Sequence, residues 1–128
     1  MDADNRSKIA DLRDLGFADP VKMITSFPPI LDLAMENIRD RITDLRKLGL
    51  ADPVKMITSN PVILGYARER LLLCGRIVMR LHDGNPDQML AWLIKKPRAL
   101  IDAVEAAQPR TWAEIRTIIS AAKKSAAL

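Results

Sequence analysis

Apart from its cations, this 128-residue chain has few side chains able to do chemistry. It carries one cysteine, Cys74, and one histidine, His82. No carboxylates cluster around either, so one chain cannot build a metal site or a Cys–His nucleophile from them. Cys74 lies among Leu71, Leu72, Leu73 and Gly75, the setting of a buried apolar thiol rather than a nucleophile. A lone cysteine also allows no internal disulfide. His82 reads as a residue at a helix C-terminus, where partial positive charge suits the dipole. The chain has no glycine-rich phosphate loop, no Ser-His-Asp set and no metal-ligand spacing. Its 16 carboxylates show no spacing that singles out a pair. It is expected not to be an enzyme, and to need no metal, cofactor or small-molecule substrate.

The cations are the remaining candidates. The chain has 20 Lys+Arg against 16 Asp+Glu, a formal charge of +4. Residues 1–64 hold 9 basic and 10 acidic side chains, and residues 65–128 hold 11 and 6, so the excess is C-terminal. It gathers at Arg68, Arg70, Arg76 and Arg80, and again at Lys95, Lys96 and Arg98. Arg76 and Arg80 stand four apart and share a helix face. Such a patch can follow a phosphate backbone, because neutralising phosphates releases counterions. Asp83 and Asp87 are the nearest acids along the chain, so the charge is expected to stay uncancelled. Two more cations recur at a fixed offset, as Arg13/Arg46 and Lys22/Lys55. They form either a phosphate-tracking stripe or surface residues copied by duplication. The expected nucleic-acid contacts are Arg68, Arg76, Arg80, Lys95, Lys96 and Arg98, with Arg46 and Lys55.

That fixed offset is the organising feature of the chain. Residues 9–31 read IADLRDLGFADPVKMITSFPPIL, and residues 42–64 read ITDLRKLGLADPVKMITSNPVIL. The two stretches are identical at 18 of 23 positions, 33 residues apart. A period of this size marks a repeat architecture, in which each unit buries its apolar face against a neighbour. Within the second copy, Ile38, Ile42, Leu45 and Leu48 have helical spacing. Gly49 then suits a left-handed helix end. Asp52-Pro53 caps and opens a short helix, and Asn60-Pro61 closes it. One tight turn over Pro61-Val62-Ile63-Leu64 follows. A third, degraded copy places Leu81 and Asn85-Pro86 33 residues after Leu48 and Asp52-Pro53. Its closing Pro97 comes 11 residues after Pro86, where the earlier copies need 8. Three extra residues predict a short helix, Pro86 to Lys95, longer by about one turn.

The pattern L-x-x-L-G-[FL]-x-x-x-x-V-x-x-M-[IL]-x-x-x-P-x-[IL]-L resembles the repeat of the mitochondrial transcription termination factor (mTERF) family. It runs through Leu12, Leu15, Gly16, Phe17, Val21, Met23, Ile24, Pro28, Ile30 and Leu31. It returns at Leu45, Leu48, Gly49, Leu50, Val54, Met56, Ile57, Pro61, Ile63 and Leu64. The third unit matches through Leu90, Leu93, Pro97 and Leu100. The resemblance implies repeats of two helices plus a 3₁₀ turn, stacked into a curved solenoid that binds nucleic acid in organelles. Family members usually carry more repeats and an organelle-targeting presequence, and the acidic start Met1-Asp2-Ala3-Asp4-Asn5 is not one.

The expected fold is therefore an all-α helical-repeat solenoid, forming one domain over residues 1–128. Repeat 1 spans about 9–41, repeat 2 about 42–74 and a degenerate repeat 3 about 75–108. Residues 1–7 read as a polar, frayed lead. Lys8 to Leu15, Asp32 to Leu48 and Tyr66 to Leu81 read as the long helices, the last burying Leu72, Leu73, Ile77, Val78 and Leu81. Met89, Leu90, Trp92 and Leu93 face inward on the third short helix. The capping-box pattern Thr111-x-x-Glu114 opens a C-terminal capping helix over 110–125, with Trp112, Ile115, Ile118, Ile119 and Ala122 on one face. Both tryptophans are expected in the core. Leu45, Leu48, Val54, Ile57 and Leu64 are core positions of the clear copies.

The functional expectation is a nucleic-acid-binding repeat protein acting in transcription or on structured RNA. The alternative is a protein-interaction adaptor using the concave solenoid face. A TAL-effector-like DNA-reading repeat, with a similar period, fits less well. Its Gly-Gly turn is replaced here by Phe27-Pro28-Pro29 or Asn60-Pro61-Val62. No apolar run approaches the length of a transmembrane helix. The expected location is cytoplasmic, or an organelle matrix where a targeting segment has been removed.

Overall fold

The computed structural model describes residues 3–127, and side chains from residue 5 to 125. Among these residues the protein is all-helical, with no strand. The eight α-helices are α1 (Ala3–Asp14), α2 (Pro20–Ser26), α3 (Met35–Leu48), α4 (Pro53–Ser59), α5 (Arg68–Met79), α6 (Pro86–Leu93), α7 (Arg98–Ala107) and α8 (Trp112–Ala127). Two 3₁₀ turns, Pro28–Asp32 and Pro61–Gly65, follow α2 and α4. The residues group into two compact units, 1–68 and 69–128. The boundary falls inside the second repeat as read from the sequence.

The first unit contains both 23-residue copies, and their helix ends and caps are made in the same way. α1 and α3 end in the same way. Gly16 (φ 108°) and Gly49 (φ 109°) adopt the left-handed conformation that a Cβ disfavours. The amide of Gly16 donates to Arg13 O and that of Phe17 to Leu12 O. Gly49 donates to Arg46 O and Leu50 to Leu45 O, so both ends are Schellman motifs. The motif drives the residue after the glycine into the core, where Phe17 and Leu50 are buried.

The short helices are set by their caps. Asp19 Oδ1 accepts the Lys22 amide at 3.1 Å and Asp52 Oδ1 the Lys55 amide at 3.0 Å. Proline occupies the first helical position in each. Each ends at an extended residue before a second proline, Phe27 (φ −142°, ψ 80°) or Asn60 (φ −138°, ψ 69°). Equivalent elements of the two copies then pack on one another: α1 against α3, and the first 3₁₀ turn against the second. At this seam Val54 lies against Gly16, and the Phe27 ring closes over Gly65. A Cβ on Gly65 would come within 2.6 Å of that ring. The apolar centre of the unit is Leu12, Phe17, Ile30, Ile38, Leu45, Ile57 and Ile63.

In the second unit, Leu71, Cys74, Ile77 and Val78 of α5 are buried, as are Met89, Leu90 and Leu93 of α6. α7 contributes Leu100, Ile101 and Val104, and α8, which packs against α7, contributes Ile115 and Ile119. Arg70 links the start of α5 to the end of α6, donating to the carbonyls of Ile94 and Lys96.

Several expectations need correction. Residues 3–7 belong to α1 and are not a frayed lead; residues 1 and 2 lie outside the described residues. The third short helix is not longer by a turn. α6 has 8 residues against 7 in α4, and the remaining insertion forms a turn at residues 94–96. The Lys96 amide bonds Leu93 O, tightening the chain before Pro97, which bars the α conformation from its predecessor. No 3₁₀ turn follows; Pro97 caps α7 directly. Leu48, Val54, Leu72 and Leu81 are half-buried rather than core. Trp92 and Trp112, expected in the core, are half-buried too.

Candidate nucleic-acid interface

The eight expected contacts separate into three groups. Arg46 and Lys55, in the first unit, come together. Arg46 is exposed in the last turn of α3, and Lys55 is exposed in the first turn of α4. The Gly49 turn between these helices folds the two cations onto one groove of about 490 Å³. Thr58, Ser59 and the Gly16 backbone also line it. The acid in this groove, Asp52, is occupied in capping α4. Arg13 and Lys22 are the same two residues one period earlier, and both are exposed.

Arg68, Arg80 and Arg98 form a second group, bound by carboxylates. Arg68 grips Asp44 with two hydrogen bonds, 2.8 Å and 3.0 Å long. Asp44 is the only charged side chain buried among the described residues, at 5 % exposure. The Arg68 hydrogen bonds hold its carboxyl below the ordinary value of 3.8, against an upward push from burial. Arg68 is therefore the counter-ion of a buried aspartate. Arg98 makes a two-pronged contact with Glu69 at 2.8 Å and a third bond to Asp102 at 2.9 Å. Those bonds hold the Glu69 carboxyl below its usual range. Arg80 pairs with Glu105 and donates to Gln108 Oε1 at 2.6 Å. The expectation of uncancelled charge is overturned for these three arginines. Only Asp102 could have been found by helical spacing, four residues after Arg98. Glu69 and Glu105 come from 29 and 25 residues away.

Arg76, Lys95 and Lys96 make the third group, all in the second unit. Arg76 is exposed on α5, and its charge acts on Glu69. Lys95 is exposed in the turn after α6. Lys96 lies over the Trp92 ring, with Nζ 4.1 Å from the centroid. Trp92 meets Trp112 edge to face, at 4.8 Å between centroids and 76° between planes. The Arg116 guanidinium lies 5.9 Å from the Trp112 centroid. Arg116 was missed by sequence reading, although Trp112/Arg116 is an i,i+4 pair that helical spacing makes neighbours on α8.

Cys74 and His82 are the remaining candidates. Burial pushes the Cys74 thiol up to about 11, so it is a poor nucleophile. His82 lies beyond the end of α5, where its amide donates to Arg110 O at 2.8 Å. Among the described residues no three His, Cys, Asp or Glu side chains are grouped to hold a metal ion. No described helix is long and apolar enough to cross a membrane. No known protein family, curated protein or solved structure matches the chain.

Proposed function

We propose that this chain is a nucleic-acid-binding helical-repeat protein of the mTERF type, holding its ligand by the phosphate backbone. The observation that carries the reading is the groove in which Arg46 and Lys55 converge. Arginine offers a planar fork to two phosphate oxygens, and lysine adds a mobile point charge. The same residue types recur one period earlier as Arg13 and Lys22, both exposed. Contacts of this kind position a nucleic acid and carry little sequence information. The test replaces both residues, Arg46→Ala with Lys55→Ala, and follows fluorescence anisotropy of DNA and RNA probes across a salt series. The parent affinity should fall linearly with salt on logarithmic axes, and the variant should lose about two units of slope. An unchanged slope in a folded variant removes this groove from the interface.

A second reading, a protein-interaction adaptor, is favoured by one observation. Ile9, Val21, Ile24 and Leu31 line an apolar groove on repeat 1, and Val21 is 45 % exposed. Its counterpart Val54 is covered at the seam by Gly16. A parent protein that binds neither DNA nor RNA at low salt would transfer the assignment to this surface.

A further inference from the structure

Resting on the nucleic-acid reading, we propose that the Trp92–Trp112 pair is a stacking platform for unpaired bases. The ligand of the second unit is then a single-stranded nucleic acid, its phosphates held along α8 by Arg116 and Lys124. The two indoles are the chain's only tryptophans. They lie 20 positions apart in sequence, and folding brings them edge to face. The fully buried side chains of the unit include Leu90, Leu93, Ile94, Ile101, Val104 and Ile115, and neither tryptophan is among them. Both indoles remain half-buried, so each keeps surface in contact with solvent.

Each ring also carries a cation supplied four residues later, Lys96 on Trp92 and Arg116 on Trp112. Aromatic rings interleaved with cations are what an unpaired strand needs, because every base has a π-face and every linkage a negative charge. A base stacked on an aromatic ring outweighs a solvent-exposed cation over the same ring. An arriving base therefore displaces Lys96, whose ammonium is left beside the adjoining phosphate. Beyond Arg116, Thr117, Ser120 and Lys124 follow along the same exposed face of α8. The second unit holds 10 basic and 6 acidic residues. Glu69, Asp102 and Glu105 are bound to Arg98 and Arg80, and Asp83 and Glu114 accept backbone amides of Trp112 and Arg110. Five of the six carboxylates are thus engaged, Asp83 and Glu114 at the start of α8 itself. A duplex offers no free base face at such a platform, which selects the single strand.

The platform reports on itself, because the protein's tryptophan emission comes wholly from it. The full chain is titrated at low salt with oligothymidylate, oligouridylate and a mixed-sequence duplex. Intrinsic emission and the anisotropy of labelled probes are followed together. Emission should be quenched along the single-strand binding curve, and the duplex should leave it unmoved. Trp112→Ala should weaken single-strand binding roughly 5- to 150-fold, the range of one lost base stack. Arg116→Ala, at an exposed position that spares both rings, should lower the salt slope by about one unit. Binding without any change in emission, or equal quenching by the duplex, overturns the platform and leaves the backbone-binding reading standing. A parent protein that binds no probe overturns both.

Discussion

Leu45 and Leu48 are three residues apart on α3, and both have the spacing of a buried helix face. Leu45 is closed to water, whereas Leu48 is only half-covered. The Schellman end explains the difference. The Leu50 amide reaches back to Leu45 O, and Leu50 is buried at the helix end where Leu48 is only half-covered. Leu45→Ala should therefore cost about 2–5 kcal/mol, and Leu48→Ala about half that or less. Urea unfolding with unchanged m-values measures both, and equal losses would contradict this account. Asp44 could not be placed by apolar spacing at all. Its neighbours Ile42 and Leu45 carry it inward with the helix, and Arg68 makes its burial tolerable.

Among the elements, α8 has a start that is capped in part by a side chain from elsewhere. Thr111 Oγ1 accepts the Glu114 amide at 3.2 Å, the first half of a capping box. The return bond differs from the expected box, because Glu114 reaches the Arg110 amide at 3.0 Å. The Trp112 amide is taken instead by Asp83, at 2.8 Å, from the turn after α5. Two caps then share one helix start, and the second also fixes the loop that carries His82. Asp83→Ala should cost about 0.5–2 kcal/mol, the usual worth of a lost N-cap bond, read as a lower midpoint in thermal unfolding followed by circular dichroism. A midpoint unchanged from the parent would show that Thr111 alone suffices. α6 shows the opposite case, where length alone misled. Three inserted residues can extend a helix or loop out of it, and the obligatory non-helical residue before Pro97 decided for the turn.

For the molecule as a whole, charge and stability are partitioned between the two units. Unit 1 has 10 basic and 10 acidic residues, and unit 2 has 10 and 6, so the net +4 lies entirely in unit 2. Each unit contains a carboxylate held below its ordinary pKa by an arginine, Asp44 in the first and Glu69 in the second. A depressed folded-state pKa gives stability that is present above the unfolded values of 3.8 and 4.5 and is lost as pH falls through the folded ones. Cys74 works at the other end. Its thiol stays protonated to about pH 11 when folded but ionises near 9.0 when exposed, so stability falls as pH rises between them. The chemical-denaturation midpoint should decline below about pH 4 and again above about pH 9. Cys74→Ala should remove most of the alkaline decline, even though the smaller side chain lowers the midpoint at every pH.

The sequence by itself determined what depends on local chemistry. Gly16 and Gly49, Asp19-Pro20 and Asp52-Pro53, and Phe27-Pro28 and Asn60-Pro61 fix backbone angles within a few residues. The all-helical class, the glycine ends of α1 and α3 and the Asp-Pro starts of α2 and α4 were legible for that reason. Burial was legible where a single apolar period ran through a long helix, as at Ile38, Ile42 and Leu45. Tertiary structure decided which charges are spent and which remain. Glu69 meets Arg98, Glu105 meets Arg80 and Asp44 meets Arg68 across 24 to 29 residues, distances that no local spacing encodes. It likewise drew Arg46 and Lys55 into one groove and Trp92 onto Trp112. An ion pair or a ring contact depends on where two helices cross, and that is set by the packing of all the apolar faces together.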